Sequence, residues 1–380
     1  MTTNRPDALV QVDLGAIRDN VAALRGRTRA EVLAVVKADG YGHGLVPSAR
    51  AAVEGGATWL GTALLEEALA LRAAGLTEPR VLAWLSGRDE RWADAIRADI
   101  DVSAAAVWAV EAVAAAAREA GTTARVHLKV DTGLSRGGAV MADWADVVDA
   151  ARKAEADDTV RVVGVWSHFA YADAPGHPTI VRQAAAFAEA LAIAERAGLR
   201  PDVRHLANSA ATLTAPEQHF DLVRPGIAVY GLSPVPDVAG SAAFGLRPAM
   251  SLSARLVLVK RLPAGSGVSY GHTYIAEQET TVGLVPLGYA DGVPRAASNV
   301  GPVLAGGRRR TIAGRVCMDQ FVLDLGDDAA DVGDAVVLFG PGDEGEPTAQ
   351  DWADATGTIS YEIVTRVGPR VPKVYVGGAA

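Results

Sequence analysis

The sequence predicts an α/β protein with an N-terminal (β/α)8 TIM barrel and a C-terminal domain that is mostly β. Three observations support this prediction. Before residue 240, short runs rich in Val, Leu and Ile alternate with longer helical segments, a pattern typical of a parallel sheet covered by helices on both faces. After residue 240 the helical periodicity mostly disappears. The length of 380 residues also exceeds the roughly 150 residues of an average domain.

Nine strands are predicted in the first part of the chain, with helices between them. The strands are 8–13, 31–36, 58–63, 80–85, 100–102, 125–130, 161–166, 203–207 and 222–230. The helices include 65–74, 104–120, 141–154 and 179–197, and most end at a glycine such as Gly75, Gly121 or Gly198. A barrel needs eight strands, so we expect strand 8–13 to belong elsewhere. An open Rossmann sheet is disfavoured because no GxGxxG sequence follows the first strands.

The second part is predicted to be a β domain. Its strands are 252–262, 281–287, 311–316, 320–325 and 335–339, and one short helix at 348–356 opens with a threonine and ends at Gly357. The stretch 233–247 is richer in Pro and Gly than its surroundings and is the best candidate for the boundary between the two domains. We therefore expect a barrel at 9–238 and a β domain at 239–380, with the N-terminal segment 1–13 a candidate to pack on the latter.

Composition excludes several classes of protein. A net charge of −9 argues against nucleic-acid binding, which needs a basic surface. The single cysteine, Cys317, excludes an intramolecular disulfide framework and a zinc site built on several thiolates. His43, His127 and His205 lie beside strand ends but lack carboxylate spacing, so no metal is expected. With no apolar signal core and no run long enough to span a bilayer, we expect a cytoplasmic protein that binds no membrane.

Polar residues stand where predicted barrel strands end, which is where barrel enzymes carry their reactive groups. These residues are Lys37, Lys129, Arg136, His168, Asn208, Ser209 and Arg224. Lys37 follows five apolar residues and precedes a loop with three glycines in five residues. A lysine at a strand end is usually solvated, but one that is partly desolvated has a lowered pKa and forms Schiff bases.

Two interpretations of the segment after strand 203–207 stay open on residue types alone. Asn208 and Ser209 are good helix caps. Helix N-termini also bind phosphate, and the backbone N–H groups of Gly226 and Ile227 would suit the same anion.

The sequence resembles the alanine racemases. AVVKADGYGHG at 34–44 looks like the pyridoxal-phosphate signature of that family. The likeness continues in order through KVDTGLSR (129–136), WSHFA (166–170), ANSAA (207–211), VRPGIAVYG (223–231), VSYGHTY (268–274), LGYADGVPR (287–295), GRVCMDQ (314–320) and SYEIVTR (360–366). It spans nearly the whole chain.

The resemblance implies an isomerase of class EC 5.1.1.1 that interconverts L-alanine and D-alanine with pyridoxal 5'-phosphate (PLP) and supplies D-alanine for the peptidoglycan of the cell wall. It implies a two-base mechanism, with Lys37 holding the cofactor as a Schiff base and Tyr270 serving as the second base. It also implies a head-to-tail homodimer with shared active sites.

The resemblance assigns further residues by their positions in these motifs. The cofactor-binding residues are Lys37, Tyr41, Arg136, His168, Asn208, Ser209, Arg224, Gly226, Ile227 and Tyr361. Arg136 and the backbone of Met318 would receive the substrate carboxylate, and Tyr289, Arg295 and Asp319 would line the entryway. Lys129 matches a position that is carbamylated in many members, where the modified group braces Arg136.

Three other functions compete with this one. A PLP-dependent decarboxylase of basic amino acids shares the architecture, but such enzymes place an acid at the ring nitrogen, where this chain has Arg224. A racemase of broader specificity remains open, because the sequence does not give the pocket volume. A non-catalytic PLP carrier is disfavoured because such proteins usually lack the second domain.

Overall fold

The computed structural model describes residues 7–378 of the chain, and the chain divides into two compact units. The barrel unit comprises Ile17–Gly40 and Gly44–Leu246. Of the described residues, the β unit comprises 7–16, the short segment Tyr41–His43 and 247–378. The first strand, β1 (Ala8–Asp13), lies in the β unit.

The barrel unit is built on one sheet of eight parallel strands. They are β2 (Glu31–Val35), β3 (Trp59–Thr62), β4 (Arg80–Ala83), β5 (Asp101–Ala104), β6 (Ala124–Lys129), β7 (Val160–Trp166), β8 (Val203–His205) and β9 (Leu222–Val223). Their spatial order is β8-β7-β6-β5-β4-β3-β2-β9. The backbone N–H groups of Asp221 and Arg224 donate to the carbonyls of Arg204 and Ala207, so the last strand also meets β8 and nearly closes the barrel.

Helices follow the barrel strands, as the alternating pattern predicts. They are Leu45–Glu54, Leu65–Ala73, Trp92–Arg97, Val107–Ala120, Met141–Ala156, Pro178–Arg196 and Ser209–Thr214, and one further helix, Leu14–Arg25, precedes the first barrel strand. The helix Val107–Ala120 ends at Gly121, whose φ of 72° is the left-handed conformation that glycine adopts without strain. All four residues of β3 and of β5 are buried, as expected for strands of a parallel sheet covered on both faces.

The predicted strand 222–230 is wrong beyond its first two residues. Only Leu222–Val223 pairs in the sheet, and the chain then forms a 3-10 turn at Ile227–Tyr230. Pro225 has no N–H to donate to a strand partner, and Gly231, with a φ of 80°, ends the turn. The apolar run continues through both conformations, so hydrophobicity alone does not separate them.

The β unit contains a nine-stranded sheet in which β1 takes part. The other eight strands of this sheet are β10 (Met250–Arg255), β11 (Leu258–Leu262), β14 (Thr280–Val285), β15 (Pro302–Ala305), β16 (Arg308–Ala313), β17 (Phe321–Gly326), β18 (Ala335–Phe339) and β19 (Lys373–Val376). Strands β12 (Gly267–Val268) and β13 (Tyr274–Ile275) form a separate short hairpin. The order is β11-β14-β17-β16-β15-β18-β10-β1-β19, antiparallel except for the β1–β19 pair. Strand β1 therefore pairs with β10 and β19 instead of joining the barrel.

The single strand predicted at 252–262 is wrong, because it is two strands with different partners. Strand β10 pairs with β1 and β18, whereas β11 pairs with β14. The short helix is confirmed at Ala349–Thr356, where the Thr348 hydroxyl accepts the N–H of Asp351 and Gly357 ends the helix with a φ of 69°. Strands β15 and β19 and the helix Ser360–Thr365 were not predicted. Within residues 7–378, no helix has the length and apolar character needed to cross a membrane.

Candidate active site

Lys37 lies directly after β2 and begins an unusual left-handed turn. Ala38, Asp39 and Gly40 all have positive φ, at 53°, 53° and 62°. A non-glycine residue in this conformation costs of order 1 kcal/mol, so the turn needs support from its surroundings. The carboxylate of Glu67 supplies it by accepting the N–H of Ala38 at 2.6 Å. The turn fixes the backbone at the point where the Lys37 side chain leaves the strand.

The surroundings of Lys37 disfavour its positive charge. Burial and the positive charge of Arg136 lower the pKa of Lys37, and the charge of Glu67 only partly opposes them. The ring centroid of Trp84 is 6.0 Å from Nζ. A lysine with a lowered pKa loses its proton more easily, and the neutral amine that results is the nucleophilic form.

Lys129 lies at the end of β6 and carries a second perturbed amine. Its Nζ lies 4.4 Å from the centroid of the Trp166 ring. Burial and the charge of Arg224 lower the pKa of Lys129 to about 8. Close to neutral pH this lysine therefore carries a substantial neutral fraction, which an exposed lysine does not.

Arg136 lies exposed on the loop that follows β6. One carboxylate oxygen of Asp131 accepts the backbone N–H groups of Gly133 at 2.9 Å and Ser135 at 3.1 Å. The N–H of Ala139 donates to the carbonyl of Lys129 at 2.9 Å, which closes the base of the loop. The loop therefore presents Arg136 from a defined backbone.

Arg224 follows β9 and is almost fully buried. Its Nη2 donates to the carbonyl of Ser167 at 2.7 Å and lies 3.4 Å from Nδ1 of His168, and its Nη1 donates to His205 at 3.1 Å. Its guanidinium carbon lies 4.9 Å from the ring centroid of Trp166. Burial lowers the pKa of Arg224 to about 9, so the group still carries its charge at neutral pH. Its Nε–H donates to no acceptor among residues 7–378.

Two short helical segments begin side by side after β8 and β9. The Asn208 side chain accepts the N–H of Ala211 at 3.1 Å, which is the capping interaction expected from its type. The Ser209 hydroxyl accepts the N–H of Gly226 at 2.7 Å and joins the two segments. In the described part of the chain, the backbone N–H of Ile227 donates to no protein acceptor. Hydroxyl and backbone donors that converge in this way suit an oxyanion.

Tyr41 and Tyr361 lie together in the β unit, with ring centroids 6.3 Å apart. Tyr41 is buried, and both this burial and the neighbouring Tyr361 raise its pKa. The Tyr41 phenol therefore keeps its proton throughout the working range of an enzyme and remains a hydrogen-bond donor.

The loop 314–320 of the β unit is tied to three other loops. The carbonyls of Met318 and Cys317 accept the N–H groups of Ala290 at 2.9 Å and Tyr289 at 3.0 Å. The Ser269 hydroxyl, next to Tyr270, donates to the carbonyl of Arg315. The N–H of Val316 donates to the Ser298 hydroxyl at 3.0 Å, and that hydroxyl donates to the carbonyl of Arg295 at 2.7 Å. These contacts bring the predicted residues Tyr270, Tyr289, Arg295, Met318 and Asp319 onto one set of connected loops.

Tyr270 and Met318 are exposed, at 71% and 53%. Tyr270 stands between residues in the left-handed conformation, Ser269 with a φ of 60° and Gly271 with a φ of 70°. No hydrogen bond to its phenol occurs among residues 7–378. The Tyr270 phenol and the Met318 side chain therefore both face solvent in the single chain.

The sixteen sequence-predicted site residues divide between the two units. The barrel unit holds Lys37, Lys129, Arg136, His168, Asn208, Ser209, Arg224, Gly226 and Ile227. The β unit holds Tyr41, Tyr270, Tyr289, Arg295, Met318, Asp319 and Tyr361. Each barrel residue lies at or just beyond the C-terminal end of a strand, at the face where barrel enzymes act.

Sequence reasoning missed several residues that support the site. Glu67, which holds the turn after Lys37, has no signal beyond its place in a first helical turn. His127 and His205 were set aside for want of a nearby carboxylate, yet His127 lies 3.1 Å from Asp101 on the neighbouring strand. That proximity depends on the order of strands in the barrel. No three His, Cys, Asp or Glu side chains group as metal ligands within residues 7–378.

Comparisons with known proteins agree with this arrangement. The model for the alanine racemase N-terminal domain matches residues 12–234, and the model for its C-terminal domain matches residues 249–375. The alanine racemase of Frankia casuarinae is 65% identical over 366 residues, which cover 96% of this chain and 95% of that protein.

Solved structures give the same result. The crystal structure of alanine racemase from D-cycloserine producing Streptomyces lavendulae has a TM-score of 0.97 and 59% identity, over 98% of each chain. The alanine racemase structure from Streptomyces coelicolor has a TM-score of 0.97 and 60% identity, again over 98% of each chain. This chain therefore belongs to the alanine racemase family.

Proposed function

We propose that this protein is a PLP-dependent racemase that interconverts L-alanine and D-alanine by a two-base mechanism with Lys37 and Tyr270. The observation that carries the proposal is that one barrel unit holds both Lys37, an amine with a lowered pKa, and Arg224, a buried cation whose Nε–H donates to no acceptor among residues 7–378. Both belong to a chain whose relatives carry the name alanine racemase.

The donor set fits PLP. Lys37 offers an amine that becomes neutral more easily than an ordinary lysine, as a covalent bond to an aldehyde requires. The Ser209 hydroxyl and the N–H of Ile227 suit a phosphate, with Asn208 and Gly226 beside them. By the family resemblance, Tyr41 and Tyr361 would also bind this phosphate, and the protonated Tyr41 phenol would do so as a donor. When bound, PLP withdraws electrons from the α-carbon of an attached amino acid and makes its proton removable.

Arg224 favours racemisation over decarboxylation. It remains charged at neutral pH and donates hydrogen bonds, so a ring nitrogen facing it would accept a hydrogen bond without gaining a proton. A weaker electron sink should limit transamination and decarboxylation. His168, 3.4 Å from Arg224, would continue this polar contact towards Tyr270.

The two bases must exchange protons with opposite faces of the substrate. Lys37 would accept or return a proton at Nζ, and its lowered pKa makes loss of that proton easier than for an ordinary lysine. Tyr270 would do so at its phenolic oxygen, which no described residue engages. Arg136 and the backbone N–H of Met318 would hold the substrate carboxylate, and Tyr289, Arg295 and Asp319 would line the entryway.

Lys129 would carry a carbamate. Carbon dioxide adds only to a neutral amine, and the pKa of about 8 supplies one close to neutral pH. The product would be an anion between the cations Arg136 and Arg224, both of which act on Lys129 electrostatically.

We further propose that the active unit is a head-to-tail homodimer in which each β unit completes the site of the other subunit. The exposure of Tyr270 and Met318 supports this, because their proposed roles need a partner. The enzyme would be cytoplasmic and would supply D-alanine for peptidoglycan.

The test is to incubate the purified, PLP-loaded protein with L-alanine in D₂O and to follow optical rotation and α-deuterium. We expect the rotation to decay to zero with α-exchange, and both to be lost in Lys37→Ala. A protein that binds PLP but leaves L-alanine unchanged would overturn the alanine assignment. Larger and basic amino acids would then be tested in the same way. Loss of their optical rotation would indicate a broader racemase, release of CO₂ would indicate a decarboxylase, and neither result would leave a PLP carrier.

A further inference from the structure

Four polar side chains form a continuous buried line inside the barrel, and Arg224 is the only one of them that has been assigned a role above. Nη1 of Arg224 lies 3.1 Å from Nδ1 of His205, and Nε2 of His205 lies 2.8 Å from Nδ1 of His127. Nε2 of His127 lies 3.1 Å from Oδ2 of Asp101. His205, His127 and Asp101 are each 0% exposed, and Arg224 is 4% exposed. We call these four side chains the relay.

The proton positions in the relay follow from hydrogen-bond chemistry. A guanidinium only donates, so Nδ1 of His205 must accept and carries no proton. The single proton of neutral His205 is then on Nε2, and it is donated to Nδ1 of His127. His127 in turn carries its proton on Nε2 and donates it to Asp101. All donors point from Arg224 towards Asp101, and both imidazoles are neutral.

Charges at the far end of the relay keep Asp101 ionised. Arg80 and Arg125 each form an ion pair with one of its oxygens, and Nε2 of His127 lies 3.1 Å from Oδ2. Burial alone would raise the pKa of Asp101, but the hydrogen bond from His127 and the two arginine charges lower it. Asp101 therefore remains an acceptor at the pH at which enzymes work.

Packing holds both rings in the orientation that the relay needs. A Cβ at Gly164 would lie 2.1 Å from Nδ1 of His127, so only glycine leaves room for that ring. The Trp59 ring meets His127 edge-on, and the Trp166 ring stacks on His205 with an interplanar angle of 3°. Trp166 also lies against the charges of Arg224 and Lys129, which couples the relay to the site.

We propose that Asp101, His127 and His205 are positioning residues that hold Arg224 in one orientation, by presenting it with an imidazole acceptor whose proton is fixed on the far nitrogen. The proposal rests on the proposed function in one respect, namely that Arg224 serves the ring nitrogen of the cofactor. None of the three touches substrate or cofactor. Their effect passes through the guanidinium alone.

Four variants test this proposal. Asp101→Asn puts an amide where His127 and both arginines need an acceptor, and His127→Leu removes the central ring. His127→Gln is the conservative variant, because its amide can accept from His205 and donate to Asp101 in the native order. Asp99→Asn is the matched control, because Asp99 also pairs with Arg125 but does not contact either histidine.

The first readout needs no cofactor. In cofactor-free protein labelled with ¹⁵N-histidine, NMR reports which ring nitrogen carries the proton. We expect His205 and His127 of the wild type and of Asp99→Asn to be neutral, with the proton on Nε2, from pH 6 to pH 9. In Asp101→Asn and His127→Leu, His205 should no longer be held in the one neutral form with its proton on Nε2. In His127→Gln it should keep that form.

The second readout is kinetic. We expect kcat for L-alanine to fall by about ten- to a hundredfold in Asp101→Asn and His127→Leu, the scale of a small misplacement of an active-site group. KM should change much less, and His127→Gln should recover most of the lost kcat. The ¹⁵N signal of the ring nitrogen of labelled PLP should shift in the two damaging variants.

The outcomes distinguish the two proposals. A wild type with the expected histidine protonation but no racemase activity refutes the proposed function and leaves the proton order of the relay standing. An active wild type whose kcat stays within twofold in Asp101→Asn and His127→Leu overturns the relay. If Asp101→Asn does not fold, the comparison of His127→Leu with His127→Gln tests the proposal. An equal loss of kcat in these two variants would mean that His127 acts only through packing, and would overturn the relay.

Discussion

Lys129 lies in surroundings that disfavour its own positive charge. The folded protein lowers the pKa from 10.5 to about 8, so below pH 8 the amine is charged in both folded and unfolded states and folding bears the cost. That cost disappears as the pH rises from about 8 through 10.5, because the folded state then releases its proton first. A functional lysine should therefore be a liability for stability.

Replacing this lysine should stabilise the protein while it impairs the enzyme. We expect Lys129→Met to raise the free energy of unfolding of the cofactor-free protein at pH 7 by about 1–2 kcal/mol, discounted for the part of the side chain that water reaches. The gain should shrink at pH 9.5, and kcat should fall. Urea unfolding at both pH values measures this, with the exposed Lys153→Met as the control. A gain that is equal at the two pH values would contradict the electrostatic cause.

Gly164 offers a second test with a single methyl group. The Cβ of Gly164→Ala would lie 2.1 Å from His127, so the ring must move and we expect a loss of about 2–3 kcal/mol. Gly240→Ala is the matched control, because nothing lies within 4 Å of its Cβ and its φ is −71°. Thermal unfolding compares the two. A Gly164→Ala protein as stable as Gly240→Ala would show that the ring has room.

The turn after β2 is the element that most directly prepares the Lys37 side chain. Its left-handed conformation depends on Glu67, which accepts the N–H groups of Ala38, Ala63 and Leu64. We expect Glu67→Ala to lower the free energy of unfolding by about 1–2 kcal/mol, because the backbone N–H groups of the turn lose hydrogen bonds to a charged acceptor. PLP affinity, measured by absorbance titration, should fall about tenfold, which corresponds to about 1.4 kcal/mol.

The neighbouring Glu66 provides the comparison for this prediction. It lies in the same first helical turn and is exposed. Glu66→Ala should therefore leave both stability and PLP affinity close to the wild type. Equal effects at the two positions would mean that the turn does not need its carboxylate.

The sequence predicts elements well where one physical signal dominates. Barrel strands such as Arg80–Ala83 are short apolar runs bounded by helices, and the helix Ala349–Thr356 has both a threonine cap and a terminal glycine. The predictions at 222–230 and 252–262 are wrong because apolar character continues through a change of conformation or of pairing partner. The domain boundary at 238/239 stays a prediction.

For the candidate site, the sequence motifs identify which residues belong to the site but not which residues contact one another. Residue types and the family resemblance single out Lys37 and Arg224, and the structure adds what surrounds them. The contact of His205 with His127, 78 residues apart in sequence, follows only from the order of strands β6, β7 and β8 in the sheet. No local pattern carries that information.

At the scale of the whole molecule, the account requires two chains for each site. Lys37→Ala and Tyr270→Phe should each be inactive alone, since each removes one base from both sites of a dimer. Mixed dimers carry one intact site, so equal mixing should restore up to about one quarter of wild-type activity. The measurement is the rate after the two variants are mixed and allowed to exchange, with differently tagged chains to show exchange. Exchange without recovery would mean that the two bases come from one chain.

The most direct test of the central claim is the isotope at the α-carbon of the first D-alanine formed. The substrate is α-protiated L-alanine in D₂O, and D-alanine is isolated at a few per cent conversion for mass spectrometry. Two bases on opposite faces remove protium with one group and deliver deuterium from the other, so the account predicts D-alanine that carries deuterium from the outset. D-alanine that retains a clear fraction of the original protium would show a single base carrying the proton across, and would contradict the assignment of Lys37 and Tyr270 as separate bases.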